Sequence, residues 1–226
     1  MVNAEQLYQK LKNIHVGNPV CQFTRENCQL LLPTIERIEN LKQQKNAIIL
    51  AHNYVAPQIF YSVADYTGDS YGLSKNAKES DADIIVFAAV RFMAETAKIL
   101  NPQKIVLDPN LNGGCSLADG ITETDVVQLR EQFPDHTFVC YINTTAKVKA
   151  QCDVCVTSSN VYKIIEKIPN EKIYFLPDKL MGENVIQNLK EKGINKDIQL
   201  WEGSCYVHEE YQPESINQVR KNFKGV

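Results

Sequence analysis

The chain has 226 residues, 44% of them hydrophobic and 23% charged, with a formal net charge of −3. That size allows one large domain or two modest ones with roughly 70% of the unfolded surface buried, so no disulfide staples are needed, and the mild acidity argues against nucleic acid gripped through a basic face. The longest apolar run, IIVFAAV (84–90), is too short for a bilayer, and the polar opening MVNAEQLYQKLKN lacks a signal-peptide core, so no membrane partner and a cytoplasmic location are expected.

In chain order, residues 1–33 read as helix and loop closed by Pro33, and a helix is predicted at 34–44. The isoleucine-rich NAIILAH (46–52) predicts a buried strand. Pro57 suits the first turn of the next helix, Gly68 its end, and Asp69 the cap of another helix running to about Ser80. DIIVFAA (83–89), RFMAETAKIL (91–100) and KIVLD (104–108) predict strand, helix and strand. Near-continuous apolar strands alternating with helices predict an α/β fold with parallel sheets covered on both faces in three αβα layers.

The order then repeats. TIERIENLKQQKNAIILAHNY is matched by TDVVQLREQFPDHTFVCYIN (124–143), with His52 and Tyr141 ending their strands 89 positions apart (141 − 52). ADIIVFAAV is paired with CDVCVTSSN, and KIVLDP with KIYFLPD. Cys115 and Cys205 each follow a strand in a glycine-containing loop, GGC and GSC, 90 positions apart (205 − 115). The expected organisation is an N-terminal helical segment (1–44), a first α/β domain (45–120), a second (121–208) and the start of a truncated third (209–226). ESINQVRKNFKGV resembles the lead helix of a further unit that stops before its strand, which suggests a fragment.

Several residues could carry chemistry. Side chains two apart on a strand share a face, so His52 pairs with Tyr54, and Tyr141 with Asn143, at the strand ends where parallel sheets bind ligands. His moves protons near neutral pH and Tyr orients or donates; either residue could equally pack under a loop. Asp69-Ser70 and Thr157-Ser158-Ser159-Asn160 suit a phosphate or carboxylate, or plain helix capping. Cys152 and Cys155 spell C-x-x-C, but Cys155 falls inside a strand, so the two side chains are expected to diverge. A structural role is favoured over zinc or redox chemistry. Cys140 reads as core, and Cys21 and Cys28 as surface or packing thiols. Cys115 and Cys205 stand apart because their loops repeat. With a third thiolate they could hold a four-iron cluster with one open iron, although spacing alone does not separate iron–sulfur from zinc.

AHNY (51–54), GDS (68–70), RFMAETAKILNP (91–102), GCSLAD (114–119), YINTTAKVKA (141–150), VTSSN (156–160), LPDKLMGENV (176–185) and W-x-G-x-C-x-V-H-E (201–209) together resemble quinolinate synthase. The resemblance implies three α/β domains about a pseudo-threefold axis, of which two are represented here. It also implies condensation of iminoaspartate with dihydroxyacetone phosphate to quinolinate for NAD biosynthesis, and a 4Fe-4S cluster held by one cysteine per domain. Carried over, Cys115 and Cys205 are cluster ligands, and His52 and Tyr54 handle substrate and the cyclising intermediate. Ser70 and Ser158 hold substrate carboxylate or phosphate, Tyr141 and Asn143 lie near the open iron, His208 is a supporting residue, and Arg91 lies in a matching motif. An L-aspartate oxidase partner is implied by the chemistry. The family's third-domain motifs, including the third cysteine, are not in this sequence. A rival expectation is a two-domain fragment binding a small phosphate or dicarboxylate without turnover.

Overall fold

A computed structural model describes residues 2–14, 23–110 and 112–223; Cys21 lies outside them. The chain divides into two compact units, Met1–Gly113 and Gly114–Val226.

The first unit opens with α1 (Ala4–Leu11) and α2 (Arg25–Lys45). Asn3 and Gln6 form a reciprocal capping box at the start of α1. α2 starts well upstream of the expected 34–44 helix and runs through Pro33 rather than stopping there. Thr24 caps it by accepting the Asn27 N–H at 3.1 Å. Cys28 and Ile35, seven residues apart and therefore on one helix face, are buried in a core with Leu7 and Leu11 of α1. Packing on α1 offsets the single backbone bond that Pro33 removes.

β1 (Ala47–His52), α3 (Pro57–Phe60), β2 (Tyr66–Gly68), α4 (Ser70–Glu79), β3 (Ile84–Ala88), α5 (Arg91–Leu100) and β4 (Ile105–Leu107) complete this unit. Its sheet is all parallel with strand order β2-β1-β3-β4. Gly68 thus ends a strand, not a helix. A three-residue strand shows no periodicity, and pairing with β1 is what defines it. Side chains alternate: Ile49 and Ala51 face the α1–α2 core, while Leu50, Ile85 and Phe87 point to the opposite side.

The second unit contains α6 (Ser116–Asp119), α7 (Glu123–Gln132), β5 (Thr137–Tyr141), α8 (Ala146–Ala150), β6 (Val154–Val156), α9 (Val161–Lys167), β7 (Lys172–Leu176), α10 (Lys179–Glu191), β8 (Asp197–Leu200), α11 (Tyr206–Glu209) and α12 (Pro213–Asn222). Its parallel order, β6-β5-β7-β8, is the first unit's order over again. Val139, Ile173 and Phe175 pack with α9 and α10, and Phe138, Cys140 and Tyr174 pack with Val126 of α7 and Val148 of α8. This is the expected three-layer αβα arrangement.

The topology corrects the strand matching. The partner of β3 (from ADIIVFAAV) is β7 (from KIYFLPD), and the partner of β6 (from CDVCVTSSN) is the short β2. Missing β2 shifts the alignment by one strand. The repeat extends to side chains. Asp65 accepts the Ile49 N–H at 2.7 Å and pairs with Lys42 at 2.8 Å. Asp153, 88 positions later (153 − 65), accepts the Phe138 N–H at 2.8 Å and pairs with Arg130 at 2.6 Å. Each carboxylate ties the first strand of its unit to the helix before it. Lys104 and Lys196, just before β4 and β8, likewise donate to carbonyls at or beyond a helix end, Ala77 and Ser80 in one case and Ile168 and Asn170 in the other. A cation suits that negative end of the helix dipole.

Candidate active site

In the first unit, His52 closes β1 and Tyr54 follows in the turn; their rings meet with centroids 4.0 Å apart. His52 is half-buried, and its Nδ1 has no hydrogen-bond partner among the described residues. Burial lowers its pKa, opposed by the nearby charge of Asp69. The imidazole is therefore neutral at pH 7 and able to accept a proton. Tyr54 is 55% exposed, and its hydroxyl lies 3.6 Å from the Met93 sulfur. Asp69 caps α4, accepting the Gly72 N–H at 2.8 Å. Ser70 is the first residue of that helix, beside its free backbone N–H groups. Arg91, at the start of α5, stands 3.7 Å from Asp108, just beyond β4.

In the second unit, Tyr141 ends β5 as His52 ends β1. Its pKa is raised by burial first and by the charge of Asp178 next. The neighbouring Ser158 hydroxyl opposes the shift, and Cys115 and Cys205 add to it. Tyr141 therefore stays protonated at neutral pH as a hydrogen-bond donor. Asn143 lies half-buried two residues on. Ser158 is exposed in the turn between β6 and α9. The capping contacts of that turn are made by its neighbours: Asn160 Oδ1 accepts the Thr157 N–H at 2.7 Å, and the Thr157 and Ser159 hydroxyls lie 2.9 Å apart.

The two loop cysteines occupy equivalent positions. Cys115 is the N-cap of α6 and Cys205 of α11, both half-buried with extended backbones. Asp119 reaches back to accept the Cys115 N–H at 2.9 Å. A Cβ on Gly114 would sit 2.6 Å from that carboxylate, so the second glycine of GGC makes room for the bond. At the second loop the Lys179 N–H donates to the Gly203 carbonyl at 2.8 Å, and a Cβ on Gly203 would sit 2.4 Å from the Pro177 carbonyl oxygen. The loop bearing Cys205 therefore lies directly on the Pro177–Lys179 turn.

Asp178 was not singled out from the sequence, although an acidic residue between a strand and a helix is a capping signal. It caps α10, accepting the Met181 N–H at 3.2 Å. Its side chain is fully buried, and its Oδ2 stands 3.0 Å from Nδ1 of His208 in α11.

The C-x-x-C thiols do not diverge. Cys155 is the register partner of Cys140 on the adjacent strand. Cys152 lies outside the strand, in the turn before it, where its thiol reaches the Val148 carbonyl at 3.3 Å. Both bear on the buried Cys140, whose thiol is pushed up to about 12, first by Cys152. Cys155 is shifted upward too, chiefly by Cys140. Cys28 is a buried packing thiol. Among the described residues, no three His, Cys, Asp or Glu side chains form a group able to hold a metal ion, and no helix is long and apolar enough to cross a membrane.

Two α/β units of one topology, with a thiol at the N-cap that follows the fourth strand of each sheet, define a repeat protein of parallel sheets, a class in which ligands bind at the carboxyl ends of the strands. The sequence profile of the family described as quinolinate synthetase A protein matches residues 36–226. A "Quinolinate synthase 2" of Mesorhizobium japonicum is 45% identical over 217 residues, covering 92% of this chain and 65% of that protein. A "Quinolinate synthase" of Caldicellulosiruptor saccharolyticus is 52% identical over 184 residues, 81% of this chain and 59% of its own length. One of Aquifex aeolicus is 46% identical over 202 residues, 89% and 60%. The chain belongs to the quinolinate synthetase A family, and it spans about three-fifths of the length of these curated relatives.

Proposed function

We propose that this chain is the larger part of a cytoplasmic quinolinate synthase, which joins iminoaspartate to dihydroxyacetone phosphate and closes the ring to quinolinate in NAD biosynthesis. The observation that carries the reading is the matched placement of Cys115 and Cys205 as the N-caps of α6 and α11 in a chain whose family profile covers residues 36–226. Iminoaspartate is unstable, which makes an L-aspartate oxidase a fitting partner.

Two half-buried thiols at matched positions suit two of the three thiolates that a 4Fe-4S cluster with one open iron requires. Cys115 and Cys205 are the residues that would hold it, with the third thiolate supplied from outside the described residues. When bound, such a cluster supplies a Lewis acid for an oxygen of the dehydrating intermediate. The chain's own groups do the rest. Ser70 and Ser158 hold phosphate or carboxylate. Neutral His52 accepts a proton and passes it on beside Tyr54. Tyr141, kept protonated, donates to a substrate oxygen, and Asn143 orients the same molecule.

The test is iron, acid-labile sulfide and quinolinate formation in anaerobically prepared protein of natural length. About four irons and four sulfides per chain with product support the reading; neither metal nor product refutes it. A second reading rests on Ser70 at the start of α4 and the exposed Ser158 before α9, hydroxyls that suit an anion without any metal. On that reading the two units bind a small phosphate or dicarboxylate without turnover, and binding without product would favour it.

A further inference from the structure

Asp178 is an anomaly. Its carboxylate is fully buried, and a buried charge is costly unless its oxygens are compensated. Oδ1 is accounted for by the Met181 N–H at the start of α10, where the helix dipole also favours an anion. Among the described residues Oδ2 accepts no aligned hydrogen bond, and the Nδ1 of His208, 3.0 Å away, is the basic group in ion-pair reach of it. Capping alone needs a single oxygen and no burial. The second oxygen is held against His208 by the local build: the Lys179 N–H grips the Gly203 carbonyl at 2.8 Å, and Lys179 Nζ meets Glu202 at 2.6 Å. The turn carrying Asp178 and the loop leading to His208 are thereby tied together. His208 and Asp178 also line, with Ser158, Tyr162 and Asn184, a groove of about 530 Å³.

We propose that Asp178 is a positioning residue: its buried carboxylate keeps the proton of neutral His208 on Nδ1, so that Nε2 is presented to the Ser158 groove as a hydrogen-bond and proton acceptor. A carboxylate on one imidazole nitrogen sets the tautomer and ring orientation by this means. The carboxylate acts through His208 and touches no substrate. The part this plays in turnover rests on the proposed function; the tautomer does not.

The experiment is long-range ¹H–¹⁵N correlation of the His208 ring in the labelled chain at about pH 8.5, where imidazole is neutral. An Nδ1–H signature in the unmodified chain, lost in Asp178→Asn, is expected; an Nε2–H signature, or no change on substitution, overturns the proposal. Asp178→Ser, which keeps a capping oxygen, serves if Asp178→Asn melts early. In quinolinate formation, Asp178→Asn should lower kcat by roughly 100-fold with KM little changed, and should cost nothing further in a His208→Gln background; additive losses overturn the proposal. If no quinolinate forms even without substitution, the proposed function fails while the tautomer measurement still decides the role of Asp178.

Discussion

Gly203→Ala offers a sharp probe, because its backbone φ is not in the left-handed region and the penalty is purely steric. The new methyl would meet the Pro177 carbonyl oxygen at 2.4 Å and Trp201 Cδ1 at 2.7 Å. A backbone oxygen and a half-buried indole packed against the core cannot both retreat easily, so the loop must lift and the Lys179 N–H to Gly203 bond is strained. Overpacking of this kind costs about 2 kcal/mol. For a unit of about 110 residues, with unfolding entropy near 2.1 cal/mol/K per residue, that is a fall of about 8 °C in Tm. The same lift moves Cys205 and His208, so bound iron should fall with stability. Gly68→Ala is the control, since its Cβ would have ordinary contacts of 3.9 and 4.0 Å with Leu73. Differential scanning calorimetry and iron analysis of both variants provide the test. An unchanged Tm and full iron content in Gly203→Ala would refute the claim that this glycine seats the loop.

Other outcomes follow from the site and the repeat. Cys115→Ala or Cys205→Ala should abolish the iron chromophore, whereas the Cys152→Ser/Cys155→Ser double variant should retain it; the reverse result would overturn the ligand assignment. Cys155, although exposed, should alkylate more slowly at pH 8 than an ordinary thiol of pKa near 8.5, because its hydrogen bond with the neighbouring Cys140 thiol keeps it protonated; quantitative mass spectrometry measures the rate. His52 has a folded pKa below its unfolded value, so the unfolded chain takes up the proton first. Its contribution to stability is then present above pH ~6.5 and is lost as pH falls through the unfolded pKa toward and below the folded one. His52→Gln should flatten that part of the Tm–pH curve, and an NMR titration midpoint for His52 above 6.5 would contradict the sign. Lys42→Met should cost about 2 kcal/mol by denaturant melts, because Lys42 is nearly buried and holds Glu39, Asp65 and the Val63 carbonyl. Arg130→Met should cost less, its guanidinium being 36% exposed.

Much of this protein was legible in the sequence because its strong signals are local. Apolar runs such as AIILA and IIVFA read as buried strands, and their alternation with helices by itself implies parallel three-layer units. The recurrence of a glycine-containing loop, GGC and GSC, after a later strand of each unit marked Cys115 and Cys205 as a pair. The errors fell where local signals are weak. β2 spans three residues and is defined by its bonds to β1, and leaving it out displaced the matching of the strands. α2 passes through Pro33 because Thr24 starts it upstream and α1 supports it.

Tertiary structure alone decided which distant residues meet. Cys140, Cys152 and Cys155 come together because strand register places one thiol beside another and a turn folds back the third. Asp178 faces His208, thirty positions later, because the Lys179 N–H grips the Gly203 carbonyl. Pattern and period fix which face a side chain takes; register and loop contacts, which depend on the whole packed unit, fix what it finds there.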